Sequence, residues 1–244
     1  MDLDFSPVWQ GWSALLQGAL VTVELTACAL LLGCVLGLLV GIGRLNPKRR
    51  WLYSACTAYV AVIRGTPLLV QLYLIYYGLG SVKWIQQSYL WPFLREPFYC
   101  AVLALSMNTA AYASEIFRGS LAAVPYGQVE AGIACGMSRF TAFRRIVFPI
   151  ALRQALPAYS TEIILMTKAT ALASLVTLFE VTGVAQKIKN DSYRALEVYL
   201  VAGLIYLVLN FIIARGIAAL EYYLSPHLRS TPRAYRIPDP SEVL

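Results

Sequence analysis

Arg64, Asn108 and Glu162 are polar residues set deep inside apolar runs of this sequence. Ionisable groups in such surroundings are costly, so they are either neutralised by a partner or put to use. Arg64 stands eleven residues into a run beginning at 53, about 17 Å along a helix at a rise of about 1.5 Å per residue. Gly65, Thr66 and Pro67 follow it and weaken a helix there, freeing backbone carbonyls and amides. Glu162 lies about ten residues into a run from 152, and Asn108 about eleven into one from 97, counted from the opposite side. All three therefore fall near one depth. Thr161 adds a hydroxyl beside Glu162, and Lys168 adds an amine further along the same run. Two readings follow. An Arg64–Glu162 ion pair would hold a bundle together. Alternatively, the group lines a pocket in which Glu162 meets a cation and Arg64 meets a carboxylate or holds the broken helix. Asn108 and Thr161 would then supply neutral hydrogen bonds, with Lys168 at the margin. Glu115 and Arg118, three apart, are expected to pair locally. Glu24, about ten residues into the first run, is left unassigned between the cavity and a neighbouring partner.

The elements that position these residues must be membrane helices. The chain has 244 residues, is 59% hydrophobic and has a mean hydropathy of +0.62. Several apolar runs reach the ~20 residues that a helix needs to cross the hydrocarbon. Apolar continuity predicts an all-α membrane protein of five transmembrane helices, at roughly 14–43, 53–80, 97–117, 152–178 and 196–219. The basic residues cluster in the loop 44–52 (Arg44, Lys48, Arg49, Arg50), the loop 118–151 (Arg118, Arg139, Arg144, Arg145) and the tail (Arg229, Arg233, Arg236). The positive-inside bias puts these in the cytoplasm, with the N-terminus outside and the C-terminus cytoplasmic. Segment 179–195 is then forced outside although it carries Lys187, Lys189 and Arg194. The net charge of +7 is accounted for by these loops, so nucleic acid is not an expected partner, whereas membrane lipid is.

Several chemistries are disfavoured. No Lys follows a Gly, so a phosphate-cradling GxxxxGK[ST] loop is absent. The single histidine, His227, lies in the tail, which leaves no histidine metal cluster and makes a Ser-His-Asp triad improbable. Cys28, Cys34, Cys56, Cys100 and Cys135 show no CxxC spacing. No catalytic residue, metal site or cofactor is expected on this chain. The acidic N-terminus lacks the basic region of a cleaved signal, so 1–13 reads as an external N-terminus. The Pro-rich tail, 230–244, reads as a loose cytoplasmic end.

Residues 129–151, "VEAGIACGMSRFTAFRRIVFPIA", form a defined frame: Glu130, Ala131, then Gly136, nine residues, Ile146 and finally Pro149. The pattern predicts two short helices around a Gly turn, with Pro149 opening the next span. A basic amphipathic loop on anionic headgroups would look similar. The frame resembles the EAA motif, E-A-A-x3-G-x9-I-x-L-P, of permease subunits of ATP-driven bacterial importers, with Gly132 for the second Ala and Phe148 for the Leu. "RGTPLLVQLYLIYYGLG" (64–80) is similar to the signature of polar amino-acid permeases of the histidine/glutamine type. "MNTAAYASEIFRGSLAAVP" (107–125) and "LPAYSTEIILMTKATALAS" (156–174) extend the likeness, most closely to the M-type partner of histidine, lysine, arginine, ornithine and opine importers.

The resemblance, from about 14 to 229, implies the type I ABC importer permease fold in a bacterial inner membrane. It implies a permease domain over 14–229 and a coupling segment at 126–150, in which Glu130, Ala131, Gly136, Ile146 and Pro149 engage a separate ATPase. The implied partners are a second permease chain, two ATPase subunits that bind the ATP, and a periplasmic amino-acid-binding protein. Substrate binding is expected at Arg64, Asn108, Thr161, Glu162 and Lys168, with a cationic amino acid as cargo, or an opine or other polar amino acid. A self-contained channel or secondary transporter is the rival, against which the lack of a detectable inverted repeat counts. A purely structural subunit leaves the three convergent polar residues without a role.

Overall fold

The computed structural model describes residues 3–45 and 48–224, and the regular structure among them is helical. His227, the tail arginines and the segment 230–244 lie outside the described residues. After a one-turn helix, Ser6–Gln10, come α1 (Trp12–Gly43), α2 (Arg50–Gly65) and α3 (Leu68–Tyr73). Two short turns, Lys83–Gln86 and Trp91–Leu94, lead to α4 (Pro97–Ala122) and α5 (Tyr126–Ala134). Next come α6 (Phe148–Ala169), α7 (Val181–Ser192) and α8 (Ala195–Leu224).

Three of these, α1, α4 and α8, are long and apolar enough to cross a bilayer as single helices. The other two expected spans are broken, and in one the reading of the sequence needs correction. The run 53–80 is not one helix: α2 stops at Gly65 and the chain resumes in a new direction, bent by 108°. Thr66 is extended (φ −117°, ψ 146°), as a residue before proline prefers, and Pro67 offers no N–H to continue the ladder. The run 152–178 begins earlier, at Phe148, and carries Pro157 inside it. It tightens to 3-10 geometry over Thr170–Val176 and turns at Thr177, which has φ +63°.

Segment 179–195, read as an external loop, is mostly the helix α7, bent 47° from the preceding unit. Glu180 caps it. Its buried carboxylate accepts from the backbone N–H groups of Thr182 and Gly183, both at 2.9 Å, and from the Tyr206 hydroxyl of α8. Val181, Val184 and Ala185 face inward against α1 and α8, and Lys187 stays exposed.

The most extensive contact in the molecule joins α1 to α4. Gly33, Gly37 and Gly41 recur every fourth residue on the buried side of α1. A Cβ on Gly33 would come within 2.6 Å of the Thr109 side chain, and one on Gly37 within 2.7 Å of the Ala113 Cβ. Without a hydrophobic drive between helices in lipid, such close backbone approach gains dispersion contacts and so selects small residues. At the far end, Arg44 donates to Glu115 at 2.5 Å, and Glu115 also accepts from Arg118 at 2.7 Å, so the expected local pair is a three-residue bridge between α1 and α4.

Gly37→Val should therefore force α1 and α4 apart. Overpacking of this kind costs about 1–3 kcal/mol, equivalent to roughly 3–10 °C in a chain of this size. Thermal unfolding of the detergent-purified protein measures it, with Gly216→Val, where a Cβ meets nothing within 4 Å, as the comparison. Equal midpoints for the two variants would remove the packing role given to Gly37.

Candidate functional site

The break between α2 and α3 is where the polar groups gather. Ending α2 at Gly65 strands carbonyls that the next turn of helix would have bonded. Gln71, buried on α3, reaches back to supply the missing donor: its Nε2 donates to Ile63 O at 2.8 Å, with Thr66 O at 3.1 Å and Thr66 Oγ1 at 2.9 Å. Its Oε1 in turn accepts from Asn108 Nδ2 on α4 at 3.3 Å. Tyr59 adds a second tie from α2 to α4, donating to Met107 O at 2.6 Å. Arg64 is exposed, and its guanidinium stands over the Tyr112 ring, 5.1 Å from the centroid. Asn108 and Tyr112 are one turn apart on α4, so Arg64, Gln71, Asn108 and Tyr112 form one cluster.

Glu162 is placed by a different helix. Tyr159, three residues before it, donates to Leu30 O of α1 at 3.2 Å and stacks on Phe117 of α4. Met166, four residues after it, joins the core with Leu25 and Leu105. Glu162 thus lies on the face of α6 turned to α1 and α4. It is only 7% exposed and has no hydrogen bond or ion pair among the described residues. The Arg64–Glu162 ion pair is absent among the described residues, where Arg64 is held at the helix break against Tyr112. Thr161 is exposed, and its hydroxyl donates to Pro157 O at 3.3 Å, within its own helix.

Lys168 stands apart from both. Six residues beyond Glu162, it is turned about 120° around the helix and borders a groove of about 420 Å³ with Tyr206 and Asn210 of α8. Gln71 and Tyr112 were missed in the sequence, although an amide inside "PLLVQLYLIYYG", four residues past the proline, was a visible signal. Glu180, just before α7, was missed as well.

The segment after α4 has a geometry of its own. The N–H of Gly136 bonds to Ile133 O at 2.9 Å and that of Met137 to Gly132 O at 3.1 Å, a Schellman ending of α5. Gly136 has φ +86°, a region that glycine enters without cost. Gly132 is buried, and a Cβ there would come 2.5 Å from Ile146 Cδ1, so the departure from the motif's second Ala makes room for the motif's own Ile. Ser138 caps the next turn, Arg139–Ala142, and Pro149 sits in the first turn of α6. The unit thus has a fixed elbow. It presents Tyr126, Ile133, Phe140 and Phe143 to solvent beside Glu130, Arg139, Arg144 and Arg145.

Residues 33–224 match the family of binding-protein-dependent transport system inner membrane components. The octopine transport system permease protein OccM of Rhizobium radiobacter is 48% identical over 230 residues, 94% of each chain. The histidine/lysine/arginine/ornithine transport system permease protein HisM of Escherichia coli K12 is 36% identical over 197 residues, covering 80% of this chain and 82% of its own. Among solved structures, that of an amino acid ABC transporter with histidines superposes with a TM-score of 0.80 at 31% identity. It covers 91% of this chain and the whole of that one.

Gln71→Leu should leave the carbonyls of Ile63 and Thr66 without a donor in a water-poor setting, at a cost of about 1–3 kcal/mol. The expected outcome is a thermal midpoint lowered by roughly 2–10 °C. A midpoint within one degree of the unaltered protein would show that the helix break does not depend on Gln71.

Proposed function

The chain belongs to the family of binding-protein-dependent transport system inner membrane components, and we propose that it carries cationic amino acids or opines through a site between α4 and α6. It is a multi-pass permease subunit of an ATP-binding-cassette importer for polar amino acids, with the type I permease fold. The observation that carries the cationic cargo is Glu162, a buried carboxylate inside a membrane helix with neither hydrogen bond nor ion pair among the described residues. Such a group must be neutralised by a proton or by a transported cation. The names of the relatives agree: histidine, lysine, arginine and ornithine are what HisM is named for, and three of these carry a cationic side chain at neutral pH.

In this reading the chain makes five crossings of the inner membrane, two of them by broken helices, with the N-terminus outside and residues 126–150 in the cytoplasm. Arg64, at the end of broken α2, receives the α-carboxylate, helped by Asn108, and Glu162 receives the cationic side chain. Thr161 lends a hydroxyl, and Lys168, turned to another groove, stays outside the site. The cargo arrives from an external binding protein. The chain holds no nucleotide and does no covalent chemistry. Two separate ATPase subunits hydrolyse ATP, and their closure is transmitted through Glu130, Ala131, Gly136, Ile146 and Pro149 as a rigid-body shift. A second permease chain completes the pair. The exposed aromatic and aliphatic residues of the segment favour a protein groove over a headgroup layer, because the fixed elbow at Gly136 holds them in one shape.

Glu162→Gln keeps the shape and removes the charge. Leaving the cargo's cation unpaired costs on the order of 3 kcal/mol, about a hundredfold in affinity. Uptake of arginine, lysine and ornithine by proteoliposomes holding the whole complex should fall accordingly, with thermal stability retained. Stable protein with unaltered uptake would sink the assignment.

Gly136→Val tests the segment. A β-branched residue at φ +86° is strained by roughly 1–3 kcal/mol, so the elbow should open. The expected result is an assembled complex whose ATP hydrolysis no longer responds to cargo-loaded binding protein. A normal response would refute the transmission role.

A further inference from the structure

One cavity stands apart from every group used so far. It is a groove of about 730 Å³ beside the α1–α4 contact, walled by Leu32 and Leu36 of α1, Val102 and Leu103 of α4, and Trp84 and Phe93 of the two short turns before α4. Its wall is almost wholly apolar. The two serines on it turn inward, Ser88 donating to Ile85 O at 2.7 Å and Ser106 to Val102 O at 2.5 Å. A helix is about 10 Å across, so this volume would house less than two turns of one. An extended run of methylenes suits it better. A gap left against such walls forfeits dispersion contacts, and within a bilayer those contacts supply most of what holds apolar surfaces together.

One end of the groove is chemically different. Segment 79–95, which forms that end, carries Lys83 and Arg95 and no acidic residue, with Glu96 following it. Lys83 is exposed and has no ion pair among the described residues, and exposed Arg95 meets Glu96 only at 3.7 Å. Trp84 and Phe93 are 73% and 54% exposed, and Phe93 meets Tyr99 edge to face at 5.5 Å. Exposed aromatics beside basic side chains are the pattern of headgroup depth. From Tyr99 to Ser106 the α4 wall then descends seven residues, about 10 Å, or some two thirds of one leaflet of a hydrocarbon core about 30 Å thick. We propose that this groove is a binding site for one acyl chain of an anionic phospholipid, whose phosphate lies against Lys83 and Arg95. Positive charge at the mouth selects the headgroup, and the apolar wall holds the chain. The orientation of the protein fixes only which leaflet supplies the lipid, so the site does not depend on the importer reading.

The test uses the whole complex, expressed with its own partners and placed in nanodiscs of phosphatidylethanolamine and phosphatidylglycerol. A phosphatidylglycerol with a diazirine at mid-chain should on illumination attach mainly to residues 84–94 and 99–106, well above its attachment to the equally exposed apolar residues 204–212 of α8. Leu103→Trp fills the groove from the α4 side. It should lower the groove adducts about fivefold and leave those on α8 unchanged. Lys83→Gln combined with Arg95→Gln should lower the preference of the groove for phosphatidylglycerol over phosphatidylcholine roughly fivefold, since a basic residue at the surface of an anionic bilayer contributes attraction of that order. Attachment spread evenly over all exposed apolar residues, or unaltered by Leu103→Trp, would reduce the groove to ordinary lipid contact and overturn the site. Adducts missing from the groove until another protein chain is stripped away would overturn it too, because a protein would then cover that face. If Leu103→Trp fails to accumulate, Leu32→Trp fills the groove from the opposite wall and the same comparison decides.

Discussion

The close contact of α1 with α4 is the constraint from which the rest of the structure follows. Gly33 and Gly37 let two backbones approach to distances at which a single Cβ would collide with Thr109 or Ala113. That contact makes α4 the buried centre of the molecule, with α2, α3 and α6 arranged around it. The polar side chains of α4 thereby acquire fixed addresses: Thr109 against the glycines, Asn108 toward Gln71, and Glu115 toward Arg44. Small residues do this work because in lipid there is little hydrophobic gain from bringing helices together, and dispersion at short range has to supply it.

With α4 fixed, a broken helix can be tolerated beside it. Unpaired carbonyls within a membrane are costly, and broken backbone survives there only where protein groups satisfy it. Gln71 meets that need from inside the chain, spanning the break and then passing the contact on to Asn108. The break also sets Arg64 at a helix end, where its charge can stay exposed while its guanidinium rests on Tyr112. An unbroken helix over 53–80 would have turned Arg64 into one more residue on a continuous face. Glu162, on α6, is held by wholly different contacts through Tyr159 and Met166. The two charges that the sequence invites a reader to pair belong to separate local structures.

The segment between α4 and α6 follows a different logic. Its shape is local, set by a Schellman ending at Gly136, a serine cap at Ser138 and the seat that Gly132 provides for Ile146. It therefore holds its form with few contacts to the helices around it. Exposed Tyr126, Phe140 and Phe143 give that form an adhesive surface.

The amino-acid sequence by itself determined whatever depends on neighbours along the chain. Apolar run length marked three unbroken helices long enough to cross a membrane, Pro67 after Gly65 and Thr66 marked a weak point, and the frame from Glu130 to Pro149 marked two helices about a glycine turn. These are steric and solvation properties of short segments. Only the tertiary structure decided which way each polar side chain faces and what it meets. A few degrees of rotation about a helix, or a bend of 108° at one proline, moves a residue to another neighbour without changing any local pattern. So Arg64 rests on Tyr112, Glu162 lies among α1, α4 and α6, and Lys168 looks into a groove with Tyr206. Glu180, in a stretch that its charge balance made ambiguous, becomes the cap that ties α7 to α8. Each of these outcomes joins residues far apart in sequence through packing, and packing is the information that run length and spacing do not carry.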